Sequence, residues 1–202
     1  GANIADNHPL LVPRLLANEG AEVIAVDPRV TKTAQLADLH LPVAPRTDVT
    51  LLNAILRVLL DEGLLHLDAA RPHVAGLDEL LAHLAELDLD AAAAECGLGL
   101  DAVRRAALAI GRAERCLVAW SMGVNHSAQG TENVTLLNTL CVLTGNIGRA
   151  GAAPFSITGQ CNAMGTRESG FTASMPGYRS YDDPDHRREL AALWGIAEDR
   201  LP

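Results

Sequence analysis

The chain has 202 residues with 49% hydrophobic side chains, enough to bury a core and too apolar for a disordered segment. A net charge of −9 with no basic block argues against nucleic acid as the main partner, while leaving room for one phosphate-bearing ligand held by local donors. No apolar run is long enough to cross a bilayer, and no signal-peptide pattern opens the chain.

Gly1-Ala2-Asn3 reads as a loop following a strand that lies upstream, so the chain reads as an internal piece of a longer protein. Asp6 and Asn7 offer helix N-caps ahead of Pro9. Leu10, Leu11, Leu15 and Leu16 then form a helical stripe closed by Gly20, with a kink expected at Pro13. The β-branched run 22–26 predicts a buried strand, stopped by Asp27-Pro28-Arg29. Residues 39–43 form a weaker strand, confined by Pro42 to an edge or a strand end.

Asp48 is expected to cap a long helix with Val49, Leu52, Ile55, Leu56 and Leu59 inward, ended by Gly63. Residues 64–115 read as helical with polar joints. They include an amphipathic piece over 77–87 and a helix capped by Asp101 with Val103, Ala106, Ala107 and Ile110 inward. Residues 116–120 form the next strand, and Thr131 is expected to cap the helix carrying Val134, Leu137, Leu140 and Cys141. After Gly148 the periodicity fades: 150–183 read as long loops, and 185–193 as a short last helix.

Alternating strands and helices predict an α/β fold, a parallel Rossmann-like sheet flanked by helices with a long loop-rich C-terminal arm. The expected division is a cofactor-binding domain over 1–149 and the arm over 150–202.

The cysteines, Cys96, Cys116, Cys141 and Cys161, form no CxxC pair, so zinc and iron–sulfur readings fail on spacing. Cys116 and Cys141 sit among apolar residues as buried thiols, and the pattern suits a reducing cytoplasm. In open α/β folds ligands gather beyond the carboxyl ends of strands, and three segments stand there. Asp27, Pro28 and Arg29 are either a turn or a carboxylate that reads a ribose or a guanine edge. Arg46, Thr47 and Asp48 bring donors toward a phosphate or simply begin a helix. Met122, Gly123, Asn125 and His126 offer backbone, amide and imidazole groups. The chain lacks GxGxxG, which disfavours a nicotinamide site. No serine–histidine–aspartate set or carboxylate pair announces catalysis, so no catalytic residue is assigned.

In order, these segments resemble the catalytic subunits of the molybdopterin oxidoreductases, and among them the assimilatory nitrate reductases. The most specific parts are the loop from Trp120 to Asn125, Thr144 to Gly151, and Gly159 to Gly165 with Arg167-Glu168. The resemblance runs from Gly1 to Trp194. It implies a cofactor, molybdenum bis(molybdopterin guanine dinucleotide), and a binding role for each matching position. Gly1, Ala2, Asn3 and Asp6 match a loop that wraps one pyrophosphate. Asp27, Pro28 and Arg29 match a segment that holds a guanosine, and Arg46, Thr47 and Asp48 a further nucleotide-binding turn. Met122, Gly123 and Asn125 match a loop near the pterin, with His126 standing where many members carry Gln. Gly159, Gln160 and Asn162 match a stretch close to the metal.

The resemblance further implies that the parent protein reduces nitrate to nitrite by oxygen-atom transfer to reduced molybdenum. Electrons would come from a donor protein or reductase subunit through a 4Fe–4S cluster. The cysteines for that cluster and for the metal are expected upstream of Gly1, since none of the four here matches them. The fragment would then supply part of the cofactor cleft and not turn over alone. Three alternatives stay open: a formate dehydrogenase-type enzyme, a metal-free structural subunit of an electron-transfer complex, and an α/β domain binding an ordinary mononucleotide.

Overall fold

Short apolar runs become parallel strand pairs here, because each return strand is reached through helix. The computed structural model describes residues 2–157, 159–160 and 162–201. The chain divides into two compact units, 1–159 and 160–202.

The first unit opens with α1 (Ile4–Asn7), a tight turn over Pro9–Leu11 and α2 (Val12–Leu16). The leucine stripe expected here does not reach the core: Leu10 is 86% and Leu16 56% exposed. Pro9 and Pro13 lack the N–H groups of a continuous helix, so the segment breaks into short pieces with no common face. β1 (Ile24–Val26), α3 (Lys32–Gln35) and β2 (Leu39–Leu41) follow. β1 and β2 pair in parallel, Ile24 opposite Leu39 and Val26 opposite Leu41.

α4 (Asp48–Asp61) is the hub of the core. It is apolar nearly all round rather than along one stripe, with Leu51, Leu52, Ile55, Leu56, Val58 and Leu59 all buried. α5 (Leu67–Ala70), α6 (Leu77–Glu86), α7 (Leu89–Glu95) and α8 (Leu100–Arg112) come next. α6, α7 and α8 pack on α4. Gly63, at φ 66°, makes the left-handed exit from α4. Arg57 ties α4 to α6: its Nη1 donates to the Leu84 and Ala85 carbonyls at 2.6 Å each. Both are end-of-helix acceptors, and Leu84 also accepts from the Leu87 amide.

β3 (Leu117–Trp120), α9 (Met122–Asn125), α10 (Gly130–Leu143) and β4 (Ala153–Ser156) complete the unit. β3 and β4 pair in parallel, Leu117 opposite Ala153 and Trp120 opposite Ser156. β4 falls in the stretch expected to be loop, and it belongs to the compact unit 1–159. Its Ala-Pro-Phe-Ser sequence lacks the β-branched run that marks a strand. No helix among the described residues is long and apolar enough to cross a membrane.

Three expected caps move by one or two positions. Thr47, not Asp48, is the residue before α4, and its hydroxyl donates back to the Ala44 carbonyl at 2.7 Å. Gly99 precedes α8, with Asp101 in its first turn. Gln129 precedes α10, which starts at Gly130 rather than Thr131. The acids remain in the first turn of α4 and α8, where the helix dipole favours them.

Gly130 is fixed by space. A β-carbon there would stand 2.7 Å from the Asn125 carbonyl oxygen. Ala at this position gains helix propensity of about 1 kcal/mol but meets a backbone atom that moves only with the whole α9–α10 turn. Gly130→Ala is expected to lower the stability of the chain by about 1–2 kcal/mol in urea unfolding. An equal or higher midpoint would show that the turn yields freely.

The second unit carries α11 (Ala163–Glu168), a turn over Pro176–Tyr178, α12 (Pro184–Trp194) and a turn over Glu198–Arg200. Met175, Leu190, Ala191 and Leu201 form its small core. Asp183 caps α12 by accepting from the Asp185 and His186 amides. Arg187 Nη2 donates to the carbonyls of Glu198 and Leu201, tying the last turn to α12. The side-chain hydrogen bond from Arg179 holds the Glu189 carboxyl below its usual range.

Candidate functional site

Parallel pairing sends β1 and β2 out on the same side, so the segments after Val26 and Leu41 meet. A cleft of about 510 Å³ lies among those segments and the turn that follows β3. Six of the candidate residues line it: Pro28, Arg46, Asp48, Met122, Gly123 and His126. Val26, Val43 and Pro45 give it an apolar wall, and Gln129 adds an amide. Of these four, Val26 is legible in the sequence as the strand end before Asp27, while Val43, Pro45 and Gln129 carry no site role there. Gln129 had a legible signal, since it sits between the strand-end loop and a helix start.

Arg46 is the most telling of the six. Its φ is 78°, a left-handed backbone that non-glycine residues seldom adopt. Its side chain is exposed, and no carboxylate or carbonyl among the described residues bonds it. The cleft therefore contains a cation on strained backbone with no partner among the described residues. Asn3 and Asn162 also have positive φ, at 22° and 52°. Three of the four non-glycine residues with positive φ among the described residues therefore fall at candidate positions.

Asp27 lies between two cleft-lining neighbours and is 6% exposed. Its Oδ1 accepts from the Arg29 amide at 2.9 Å, which satisfies the turn reading. Its Oδ2 takes no hydrogen bond from the described residues, which leaves one open acceptor. Its backbone is pinned on both sides: the amide donates to the Leu41 carbonyl, and the carbonyl lies 2.8 Å from His40 Nε2. Arg29 is exposed, and its Nε stands 3.9 Å from Asp27 Oδ1. Thr47 is occupied locally by its bond to Ala44. Asn125 does not line the cleft; its Oδ1 accepts from the Trp120 indole at 3.1 Å and braces the turn.

The N-terminal candidates form a second group beside this cleft. Asn3 Nδ2 donates to Asp6 at 2.8 Å, and Lys32 reaches Asp6 at 2.5 Å. The Lys32 hydrogen bond holds the Asp6 carboxyl below its usual range. Thr33 donates to Asn3 Oδ1 and accepts from the Ala5 amide, tying the loop to α3. Asn7 reaches the Ala2 carbonyl at 3.5 Å. Gly159 closes the group: a β-carbon there would come 3.3 Å from Asn7 and 3.7 Å from Ser121, next to Met122. Gly1 and Cys161 lie outside the described residues. Gln160 and Asn162 belong to the second unit, where Asn162 precedes α11.

The described thiols are Cys96, Cys116 and Cys141. Burial raises all three, Cys141 to about 12 with Cys116 as a second cause, so they remain protonated and inert near neutral pH.

In sum of donors the cleft suits an extended anionic ligand with a polar ring. Arg46, His126 and Gln129 offer N–H groups and α4 presents its first turn; Asp27 is not among the lining residues, and its open acceptor stands between Val26 and Pro28, which are. Comparison with known proteins agrees in kind. A model of the molybdopterin oxidoreductase family matches residues 1–192. A nitrate reductase of Synechocystis sp. is 40% identical over 206 residues, spanning 100% of this chain and 29% of that protein. The assimilatory nitrate reductase catalytic subunit of Bacillus subtilis is 36% identical over 205 residues, spanning 100% of this chain and 29% of that protein. Formate dehydrogenase H of Escherichia coli is 31% identical over 199 residues, covering 97% of this chain and 28% of that protein. Acetylene hydratase from Pelobacter acetylenicus shares the fold, with a TM-score of 0.69 and 22% identity over 76% of this chain and 22% of that one. The chain spans under a third of the length of the curated relatives it matches.

Proposed function

The chain belongs to the molybdopterin oxidoreductase family, and from that premise we propose that its cleft holds the nucleotide end of a molybdopterin guanine dinucleotide within a nitrate reductase. The observation that carries the reading is the convergence of Pro28, Arg46, Asp48, Met122, Gly123 and His126, from separate chain segments, on one cleft. The chemistry of the donor set fits such a group. Arg46 is a free fork for phosphate or ribose oxygens. The open Oδ2 of Asp27 accepts from the N–H edge of guanine while Oδ1 stays on the Arg29 amide. Val26, Val43 and Met122 supply a shelf for a flat ring. The N-terminal loop, with Ala2, Asn3 and Asp6, is assigned to a pyrophosphate: Ala2 and Asn3 offer backbone amides, while the Asp6 carboxylate holds Asn3 and Lys32 in place. Gln160 and Asn162 are assigned to the part nearest the metal.

When bound, the cofactor supplies the redox chemistry, and the protein binds, orients and shields it. These residues therefore position; none of them is assigned a catalytic step. Nitrate is the favoured substrate because the two nitrate reductases are 40% and 36% identical, against 31% for the formate dehydrogenase. The remainder of the reading concerns the parent protein: a 4Fe–4S cluster and a metal-binding cysteine upstream, an electron-donor protein, and a cytoplasmic setting.

The test is direct. The parent protein, purified intact, is analysed for molybdenum and guanine. It is then assayed for nitrate reduction with a reduced dye and for formate oxidation with an oxidised one. Metal, guanine and nitrate turnover are expected together. Formate turnover alone would transfer the reading to that enzyme, and absence of both metal and pterin would leave a structural subunit.

A further inference from the structure

A second cleft, of about 650 Å³, lies where α6 and α10 flank α4, away from the strand ends. Its walls carry Glu79 and His83 from α6, and Glu132 from α10. Neither carboxylate is in an ion pair or a hydrogen bond with the described residues. Asn53 of α4 lines the same cleft. It stands in an otherwise apolar run of that helix and is only 9% exposed. No group among the described residues bonds its carboxamide. Its carboxamide therefore faces the cleft and the solvent there; the buried side-chain atoms without a partner among the described residues are His8 Nε2 and Asn133 Oδ1. Leu80 and Leu136 give the cleft its apolar surface.

We propose that this cleft is a binding site for an aliphatic ammonium cation, whose methylenes lie on Leu80 and Leu136. Its ammonium hydrogens are shared among Glu79, Glu132 and the Asn53 carboxamide oxygen. A metal ion is a poorer match: among the described residues no three His, Cys, Asp or Glu side chains converge closely enough to hold one. An apolar surface beside the carboxylates suits a cation with an apolar stem. The overall charge of −9 adds a long-range attraction for it. The ammonium has two sources, a free diamine or a lysine side chain of another polypeptide.

Calorimetric titration of the 202-residue chain with 1,4-diaminobutane, and separately with a short peptide carrying one central lysine, tests both. Saturable binding of either probe, with amide NMR shifts on α6 and α10, is expected and names the source. Glu79→Gln with Glu132→Gln is expected to weaken it about tenfold or more. The charge-matched pair Glu19→Gln with Glu62→Gln, both exposed elsewhere, is expected to leave it unchanged. Asn53→Leu is expected to weaken binding severalfold, since it removes the carboxamide oxygen that accepts from the ammonium. No saturable binding of either probe would overturn the proposal. So would equal losses in both charge-matched pairs, or unchanged affinity in the Asn53 variant.

Discussion

Asp27→Asn in the intact parent enzyme is expected to lower its bound molybdenum and guanine about tenfold or more under dilution, with the fold unchanged. A carboxylate oxygen that accepts from the N–H edge of guanine makes a charge-assisted bond worth about 1.5–3 kcal/mol. An amide keeps one acceptor and presents a donor where the second must be. The same substitution is mild for the empty protein. Asn Oδ1 still accepts from the Arg29 amide, the one bond that defines the turn. The ion pair lost is a 3.9 Å contact to an Arg29 side chain 78% exposed, which is worth little. Removing charge from a site 6% exposed also relieves a desolvation cost. The two roles of Asp27 therefore separate. Metal and guanine content report Oδ2, and the unfolding midpoint reports Oδ1. Full cofactor content in the variant would reduce Asp27 to a turn residue and remove guanine recognition from this cleft.

Much of this site was legible because strand ends are legible. The run 22–26 is β-branched, Asp27-Pro28 ends it, and glycine follows β3 at Gly123, so the cleft-lining loops announce themselves in order. What remained hidden depends on three-dimensional neighbours. Asp48 and Thr131 looked like caps because their residue types favour caps, but Thr47 already spends its hydroxyl on Ala44, and Gly130 must precede Thr131 to clear the Asn125 carbonyl. β4 was hidden because Pro154 and Phe155 pair with β3 by topology rather than by propensity. The leucines at 10, 11 and 16 had the spacing of a core stripe, yet two prolines break the helix that would have aligned them. Least legible was the positive φ of Arg46, since nothing in an arginine codon marks a left-handed turn.

That backbone gives the second strong expectation, for Arg46→Gly. An L-residue at φ 78° carries a steric cost of about 1–2 kcal/mol, which glycine removes. Glycine adds about 0.5–1 kcal/mol of chain entropy to the unfolded state, so the two effects nearly cancel. The Arg46 side chain makes no hydrogen bond with the described residues, so its removal breaks no contact that holds the fold. The unfolding midpoint of the cofactor-free chain is therefore expected to stay level or rise slightly. Retention of molybdenum and guanine by the intact enzyme is expected to fall about tenfold or more, because the cleft loses its free guanidinium donor. Arg46→Lys completes the comparison. It keeps the charge and the strained backbone but not the planar fork, so an intermediate retention is expected if the arginine grips phosphate or ribose oxygens in pairs. A glycine variant that loses stability and keeps its cofactor would reverse the assignment: Arg46 would then serve the fold, and the strain at φ 78° would have no ligand to answer to.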